Sequence, residues 1–423
     1  MKVLWVVNIP FGRLCELAEI KEENVSGSWL NAALDKYIDN SDIDLTVITV
    51  GRVASIKEIN VKNITYCLLP GGWPHEYDYK NKSNLKNWLY IKEKYSPDII
   101  HVWGTEFTHG YLAVKSMPDV PSVIYMQGLL KAISKYYLAG LTQKELKRSI
   151  SLRDIYGREW ITKKQKDLYK RSFVEAELIR LSKNIIVEND WCASYCTDIA
   201  YDCILHHCEL NIRSEYFAKS WNKENMAPLT IMSNSSGYPI KGLHVLIRAL
   251  KNVINEYPST ILKIPGESTP YFGKNWINKI KENGYSKYIR KLITELDLAD
   301  NVVFMGRLTS EEMADQMSIS NVVVIPSCIE NHSSTLIEAM IVGAPCIASY
   351  VGGIPEYMKH GDNGLLYRYE EYEMLSVHIK TIFSNVEYAG FLSANARSYM
   401  REKRAPEGIK EKLLCIYKNI TGL

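Results

Sequence analysis

The sequence predicts an α/β protein with two Rossmann-like domains, each built on a parallel sheet that is covered by helices. Short runs rich in Val, Ile and Leu alternate with longer amphipathic stretches, which is the pattern of strands buried on both faces of a parallel sheet. With 423 residues, 46% of them hydrophobic and 23% charged, the chain is long enough for two or three domains with their own cores. One polar interruption divides the alternation into two halves of similar size.

Buried strands are predicted in the first half where short apolar runs stand between amphipathic segments. These runs are Lys2–Val7, Leu45–Val50, Ile64–Leu69, Ile99–Val102, Ser122–Gln127 and Asn184–Glu188. Helices are expected to fill the intervals, for example Ser28–Tyr37.

The second half repeats the pattern after the polar, aromatic-rich stretch Arg213–Pro228, which we interpret as a linker. Its predicted strands are Leu229–Ser233, Thr260–Ile264, Val302–Met305, Val322–Ile325 and Pro345–Ala348. After about residue 370 the pattern is helical to the end. The predicted domains are therefore residues 1–212 and 229–400, joined by the linker 213–228 and followed by a C-terminal helix, 401–423. Ligands of such sheets bind beyond the carboxyl ends of the strands.

Composition argues against several classes of protein. Lys and Arg number 51 and Asp and Glu 48, so the net charge of +3 is too balanced for a dedicated nucleic-acid binder. The opening run "MKVLWVVNIP" is cut by Pro10 and precedes no cleavage site of small residues. No segment approaches the roughly 20 apolar residues that span a bilayer. We therefore expect a cytoplasmic protein whose nine cysteines stay reduced.

Four cysteines near His206 and His207 raise the alternative of a zinc site. Their spacing is irregular and runs through a predicted helix, whereas structural zinc sites pair their ligands at short fixed intervals. We interpret these cysteines, which are Cys192, Cys196, Cys203 and Cys208, as small buried hydrophobic residues. No metal site is predicted.

The segment "SCIENHSSTLIEAM", which follows the buried strand "VVVIP", carries the strongest chemical signal. Ser333, Ser334 and Thr335 stand where a helix should begin, so free N–H groups, the positive end of the helix dipole and three hydroxyls can converge on a phosphate. Glu330 precedes them and Glu338 lies about one turn into the helix. A carboxylate accepts hydrogen bonds from vicinal hydroxyls, as in a ribose or a hexose. The alternative for this pattern alone is a capped surface helix with two solvated glutamates.

These residues and several neighbouring motifs make the sequence similar to the family 4 retaining glycosyltransferases. These are bacterial enzymes of the GT-B fold that build capsular, exopolysaccharide and lipopolysaccharide glycans. The shared features are the E-x7-E of Glu330 and Glu338, "GAP" at Gly343–Pro345, "GGIPE" at Gly352–Glu356, "NGLL" at Asn363–Leu366, "YPIKGLHVLIRAL", "VVFMGRLTSEEM", "PDIIHVWG" and "YMQGLL". The resemblance covers nearly the whole chain and implies two Rossmann-like domains that face each other across a cleft.

The resemblance also implies roles for the carboxylates and the diphosphate site. Glu338 would hold the hydroxyls of the donor ribose, and Glu330 would hold the transferred sugar. The main chain at Ser333, Ser334 and Thr335 would hold the diphosphate, and Lys241 would supply positive charge to the leaving group.

Further roles implied by the resemblance fall on three other loops. The main chain at Gly306, Arg307 and Leu308 would frame the base. Gly27 and Ser28, in the small loop after the first strand, would approach the donor phosphates from the other domain. Gln127 stands where the family commonly has an active-site His.

The sequence departs from the family pattern in three places. One affects the number of cations at the diphosphate, and two affect the residues expected near the acceptor. Ser235 and Ser236 occupy the place of a common Arg, so the diphosphate has one cation fewer. The first loop is poorer in glycine than is usual, with Gly27 between two serines. Gln127 replaces the common His.

Taken with the resemblance, the sequence predicts a retaining glycosyltransferase that moves a sugar from a nucleotide-sugar donor to a glycan or lipid-linked acceptor. It is expected to need no metal or other cofactor, because Lys241 and the helix N-terminus would stabilise the leaving diphosphate. Two alternatives remain open. One is a hydrolase or epimerase of the same fold that acts on the nucleotide sugar, and the other is an inactive relative that binds glycans or nucleotides.

A basic stretch, Lys131–Arg171, suggests one further partner. It holds twelve Lys or Arg against four acidic residues, a local charge of +8, and the aromatic residues interleaved with them are Tyr136, Tyr137, Tyr156, Trp160 and Tyr169. Basic segments with aromatic residues suit an anionic membrane surface or a lipid diphosphate. This interpretation makes the protein peripheral on the inner face of the plasma membrane. The alternative is a solvated helical face, and nucleic acid is not expected.

Overall fold

The computed structural model describes residues 1–20, 28–37, 43–157, 159–235, 237–266, 270, 272 and 280–423. Contacts divide the chain into two compact units. Unit 1 comprises Met1–Lys131, Tyr169–Ile212 and Arg404–Leu423, and unit 2 comprises Ala132–Leu168 and Arg213–Lys403.

Strands and helices alternate along most of the described residues. The strands are β1 Lys2–Val7, β2 Asp44–Gly51, β3 Lys57–Val61, β4 Ile64–Pro70, β5 Ile99–Trp103, β6 Ser122–Tyr125, β7 Asn184–Val187, β8 Ile204–His207, β9 Ala227–Met232, β10 Ile261–Pro265, β11 Val302–Gly306, β12 Ser320–Ile325, β13 Cys346–Ser349 and β14 Leu365–Tyr367. The α-helices are α1 Gly12–Ala18, α2 Ser28–Asp35, α3 Lys82–Tyr95, α4 His109–Ser116, α5 Leu130–Tyr136, α6 Gln143–Arg148, α7 Leu152–Gly157, α8 Ile161–Ser182, α9 Asp190–Ile199, α10 Ser214–Ala218, α11 Leu243–Ile254, α12 Gly284–Glu295, α13 Ser310–Ile319, α14 Ser334–Val342, α15 Tyr372–Ser384, α16 Val386–Lys403 and α17 Pro406–Thr421.

The predicted strands are all confirmed, and their ends agree with the structure to within two residues. Three strands were not predicted, because their residues lack a long apolar run. β3 is a partly exposed edge strand, β8 reads "ILHH", and β14 has only three residues. The predicted helical C-terminal region is confirmed by α15, α16 and α17.

Unit 1 is built on an eight-stranded sheet with the order β3-β4-β2-β1-β5-β6-β7-β8. Neighbouring strands are parallel except β3, which runs antiparallel to β4 at the edge. In the central strand β1, Trp5 is fully buried, and its indole N–H donates to the hydroxyl of Tyr417 at 2.9 Å. Tyr417 belongs to α17, so the C-terminal helix packs on this sheet. This contact explains why residues 404–423 group with unit 1.

Unit 2 is built on a six-stranded sheet with the order β11-β10-β9-β12-β13-β14, in which all strands are parallel. The chain enters it through residues 213–228, which are not an extended tether. They contain α10 and the start of β9, and the indole N–H of buried Trp221 donates to Ser320 O at 2.8 Å. This stretch, interpreted as a linker from its composition, is therefore part of unit 2.

Residues 132–168 also belong to unit 2, whereas the sequence pattern placed them in the first domain. The Glu145 carboxylate of α6 accepts hydrogen bonds from Arg248 at 2.5 Å and from the Tyr288 hydroxyl at 2.7 Å. Nε2 of buried His244 lies 3.0 Å from Ala139 O. These polar partners are in α11 and α12, far along the chain, and hydrophobic periodicity carries no information about them.

Two negative observations apply to the described residues alone. Among their helices, none combines the length and the hydropathy that crossing a membrane requires. Nor do these residues bring together three or more His, Cys, Asp or Glu side chains that could hold a metal ion. Cys192 and Cys196 lie on α9, where both are buried.

Candidate functional site

The candidate site lies at the carboxyl edge of the unit 2 sheet. The strand order reverses at β9, whose neighbours are β10 and β12, and ligands of parallel sheets bind where this reversal opens a crevice. The recess that opens there has a cavity volume of about 10 Å³, which is far smaller than the roughly 300–1,000 Å³ of pockets that enclose a whole ligand. It therefore suits one part of a larger ligand. Its polar lining consists of Ser233, Asn234, Ser235, Lys241, Ser327, Glu330, Ser333 and Thr335.

Lys241 and Glu330 form an ion pair inside this recess. Lys241 ends the short helical turn Pro239–Lys241 after β9, and Glu330 lies in the loop after β12. Nζ of Lys241 donates to Oε1 of Glu330 at 2.6 Å, and the Ser327 hydroxyl donates to the same oxygen at 2.6 Å. Burial lowers the pKa of Lys241, but attraction to Glu330 outweighs it, so the pKa is raised overall and the ammonium stays charged.

Two glycines allow the backbone to pass close to this pair. Gly242 follows Lys241 with φ +73°, and a Cβ there would lie 1.7 Å from Pro326 O. Gly352, in the "GGIPE" motif, has φ +52°, and a Cβ there would lie 1.8 Å from Glu330 O. The neighbouring N–H of Gly353 donates to that oxygen at 3.1 Å. Only glycine combines this conformation with so close an approach.

The predicted helix start at the serines is confirmed by α14. Ser333 is its N-cap, and its hydroxyl accepts from the Leu336 N–H at 3.4 Å. The N–H of Ser333 donates to the Tyr357 hydroxyl at 3.1 Å. The first N–H groups of a helix have no acceptor within the helix, so those of Ser334 and Thr335 are oriented as in an anion site.

Glu338 lies in α14 outside the lining of the recess, so the structure places the two glutamates in different surroundings. Nη2 of Arg213 donates to Oε1 of Glu338 at 3.1 Å and to the Tyr216 hydroxyl at 2.9 Å. Burial raises the pKa of Glu338, and the nearby Arg213 guanidinium opposes that rise without cancelling it.

The loop expected to frame a base lies at the same edge of the sheet. Gly306 ends β11 with φ +72°, and its carbonyl accepts from the Gly266 N–H at 2.8 Å. Arg307 is exposed and Leu308 is partly buried. Carboxyl ends of parallel strands share one edge, so this loop and the loops that hold Lys241 and Glu330 converge there.

Of the other described residues singled out by the sequence, Ser235 also lines this recess. Ser235 is buried, with its hydroxyl oxygen 2.9 Å from that of Ser233. Gln127 follows β6 in unit 1 and is partly buried. Ser28 begins α2. Gly27 and Ser236 lie outside the described residues.

Sequence reasoning missed several partners of the predicted residues. Ser327 binds Glu330, Tyr357 accepts from the N-cap of α14, and Asn234 donates to the Thr335 hydroxyl at 3.4 Å. Arg213 was assigned to a linker. Ser327 could have been suspected because it lies three residues before Glu330, whereas 125 positions separate Arg213 from Glu338.

Solved structures define the class of fold. Sucrose-phosphate synthase from Thermosynechococcus elongatus is 17% identical to this chain, covers 100% of both chains and has a TM-score of 0.70. HepE of Anabaena, solved in complex with UDP and glucose, is 15% identical and covers 99% of this chain and 100% of its own, with a TM-score of 0.67. At such identities the likeness concerns the fold alone. The predicted GT-B fold, with two Rossmann-like α/β domains, is confirmed.

A family model identifies unit 2 more closely. Residues 215–399 match the family described as glycosyl transferases group 1, and this part of the chain is a domain of that family. The chain is also 25% identical over 178 residues to an uncharacterised glycosyltransferase of Methanocaldococcus jannaschii. That match spans 42% of this chain and 42% of the archaeal protein, so it covers less than half of the length of this curated relative.

Proposed function

We propose that the chain is a retaining glycosyltransferase that moves a sugar from a nucleotide-sugar donor to a glycan or lipid-linked acceptor in the synthesis of a surface polysaccharide. The observation that carries the proposal is the Lys241–Glu330 ion pair beside the N-terminus of α14, at the strand reversal of a glycosyl transferases group 1 domain. This recess combines a fixed cation, helix N–H groups and a carboxylate. A diphosphate joined to a sugar requires the same set of groups.

In the proposed mechanism the leaving diphosphate is stabilised by charges already in place. Lys241 and the N–H groups of Ser334 and Thr335 offset the negative charge that develops on the leaving oxygen. Glu330, released from Lys241 by the incoming diphosphate, accepts hydrogen bonds from hydroxyls of the transferred sugar. The leaving phosphate oxygen then takes the proton of the acceptor hydroxyl, which attacks from the same face and retains the anomeric configuration. Metal independence is part of the proposal, since Lys241 supplies the cation.

A thermal-shift panel followed by product analysis tests the activity. Sugar nucleotides of UDP, GDP, ADP and CDP are added in turn, and a ligand that binds the folded protein raises its melting temperature. With the donor so found, release of nucleoside diphosphate should depend on an added acceptor. Release without acceptor would indicate the alternative hydrolase or epimerase, and binding without any turnover would indicate an inactive relative.

For the acceptor side we propose a peripheral position on the cytoplasmic face of an anionic membrane. The local charge of +8 is weaker support for this position than the sequence suggested, because several charges of the basic stretch are paired within the protein. Lys163 lies 3.1 Å from Asp167, and Arg171 donates to Glu106 O at 2.9 Å. Among the described residues of the stretch, the most exposed large apolar side chains are on α7, where Tyr156 is 92% exposed and Ile155 56% exposed. Basic residues beside exposed apolar ones suit a lipid surface.

Co-sedimentation with phosphatidylglycerol liposomes tests this position. The variant carries Gln at three exposed residues of α7, Leu152, Ile155 and Tyr156. We expect wild-type binding at low salt, loss of binding at high salt, and at least about tenfold weaker binding by the variant. The matched control carries Gln at three exposed residues of α3, which are Leu85, Leu89 and Tyr90, and should bind like wild type. Equal binding by both variants would contradict the proposal.

A further inference from the structure

One guanidinium joins three elements around Glu338 in unit 2. Arg213 stands directly before α10 and donates to the hydroxyl of Tyr216 in that helix at 2.9 Å. It also donates to the Ser310 hydroxyl at the start of α13, and to Glu338 Oε1 in α14 at 3.1 Å. The guanidinium carbon lies 5.2 Å from the centre of the Tyr216 ring. Arg213 thereby fixes the position of Glu338 relative to α10 and α13.

This contact differs from an ordinary surface ion pair. The side chain of Glu338 is 11% exposed and that of Arg213 is 22% exposed. Pairs that stand free in water contribute little, because solvent screens them and both side chains must be ordered. The Arg213–Glu338 pair is held between helices, and Arg213 makes further hydrogen bonds to Tyr216 and Ser310. Its side chains are therefore already ordered, and solvent screens the attraction between the two charges less.

We infer that Arg213 is a positioning residue that holds the Glu338 carboxylate in place, and negatively charged, for the ribose hydroxyls of the donor. The inference rests on the proposed function, because the nucleotide-sugar donor of that function supplies the ribose that Glu338 would bind. Arg213 occupies Oε1 from the side of α10. The remaining lone pairs of the carboxylate can accept from the two vicinal hydroxyls of a ribose.

The charges around Glu338 give the inference a pH dependence. The titratable groups that act on it are Arg213, Tyr216 and Glu215. Burial, with a smaller effect of Glu215, raises the pKa of Glu338, whereas Arg213 and Tyr216 lower it. Removing Arg213 therefore raises the pKa of Glu338 further. Ribose binding by the carboxylate would then be lost as pH falls through this higher pKa, and would recover at more alkaline pH.

The test measures nucleotide affinity by titration calorimetry from about pH 6.5 to about pH 9. The probe is UDP, or whichever of GDP, ADP and CDP wild type binds most tightly, together with its 2′-deoxy analogue. For Arg213→Met we expect about tenfold or greater loss of affinity at neutral pH, which is the scale of a lost charge-assisted hydrogen bond. Part of this loss should recover at alkaline pH, and discrimination against the deoxy analogue should shrink.

Three controls separate this role from a general structural one. Arg213→Lys keeps the positive charge. The pH below which nucleotide affinity declines should therefore be the same in this variant as in wild type, even if the affinity itself is lower. Arg368→Met removes an exposed arginine and should change nothing. In the Glu338→Gln background, Arg213→Met should have no further effect, because the carboxylate is already absent.

The outcomes separate the inference from the proposed function. If wild type binds none of the four nucleoside diphosphates, the proposed function fails. If wild type binds one of them but Arg213→Met binds it equally at every pH, or loses the same affinity in the Glu338→Gln background, the positioning role fails. If Arg213→Met does not fold, Arg213→Lys provides the test. A decline of its nucleotide affinity at a higher pH than in wild type would contradict the positioning role.

Discussion

The Lys241–Glu330 pair makes a prediction that needs no knowledge of the substrate. Lys241→Met, Glu330→Gln and the double variant form a thermodynamic cycle in the unliganded protein. Lys241→Met leaves the carboxylate of Glu330, which is 9% exposed, with the Ser327 hydroxyl as its remaining recess partner. Removing one member of a buried pair costs more than removing both, because the other charge stays buried.

The expected magnitude follows from distance and exposure. Nζ and Oε1 are 2.6 Å apart, which is a charge-assisted hydrogen bond of the kind that contributes about 1.5–3 kcal/mol. The Lys241 side chain is 31% exposed, so solvent screens part of the attraction and the lower end of this energy range decreases. We therefore expect a coupling energy of about 1–3 kcal/mol. Lys380 and Glu256 provide the control, because the side chain of Glu256 is 56% exposed and their coupling should stay below about 1 kcal/mol.

Urea unfolding followed by intrinsic fluorescence measures the four free energies. The same variants then report on the ligand, since Glu330 competes with a diphosphate for Lys241. Glu330→Gln should bind nucleoside diphosphate at least as tightly as wild type, and Lys241→Met should bind it more weakly. A coupling energy within about 0.5 kcal/mol of zero would mean that the two residues act independently, and would refute the reasoning.

The remaining predictions concern metal, the carboxylates and one glycine. Turnover should survive EDTA, since Lys241 is the proposed cation; complete loss that added Mn²⁺ restores would rule this out. Glu338→Ala should weaken nucleotide binding by about 1–3 kcal/mol, whereas Glu330→Ala should impair transfer and spare nucleotide affinity. Equal losses of nucleotide affinity in the two variants, measured by calorimetry, would contradict these separate roles. Gly352→Ala should lower the melting temperature, because its Cβ would meet the backbone at 1.8 Å, whereas Gly390→Ala, with open space in α16, should be neutral or stabilising. Equal melting temperatures for both would contradict the close approach.

The sequence alone determined the fold class and most of the strands. Buried parallel strands are continuous apolar runs, and this information is contained in neighbouring residues, as in "VVVIP" before the site. The start of α14 is local in the same sense, because an N-cap serine bonds to an N–H three residues later. The motif residues Glu330 and Glu338 were found in this way. The strands β3, β8 and β14 lack such a local signal.

Tertiary structure alone decided which charged groups meet. Lys241 and Glu330 are 89 positions apart, and Arg213 and Glu338 are 125 apart. The residues next to each of these side chains in the sequence do not indicate which charged group it pairs with. The grouping of residues 132–168 with unit 2 depends likewise on hydrogen bonds that Glu145 accepts from Arg248 and Tyr288 in distant helices. Periodic burial is encoded within a few residues of each position. The pairing of buried charges arises only when separate elements pack and exclude the water that would otherwise solvate them.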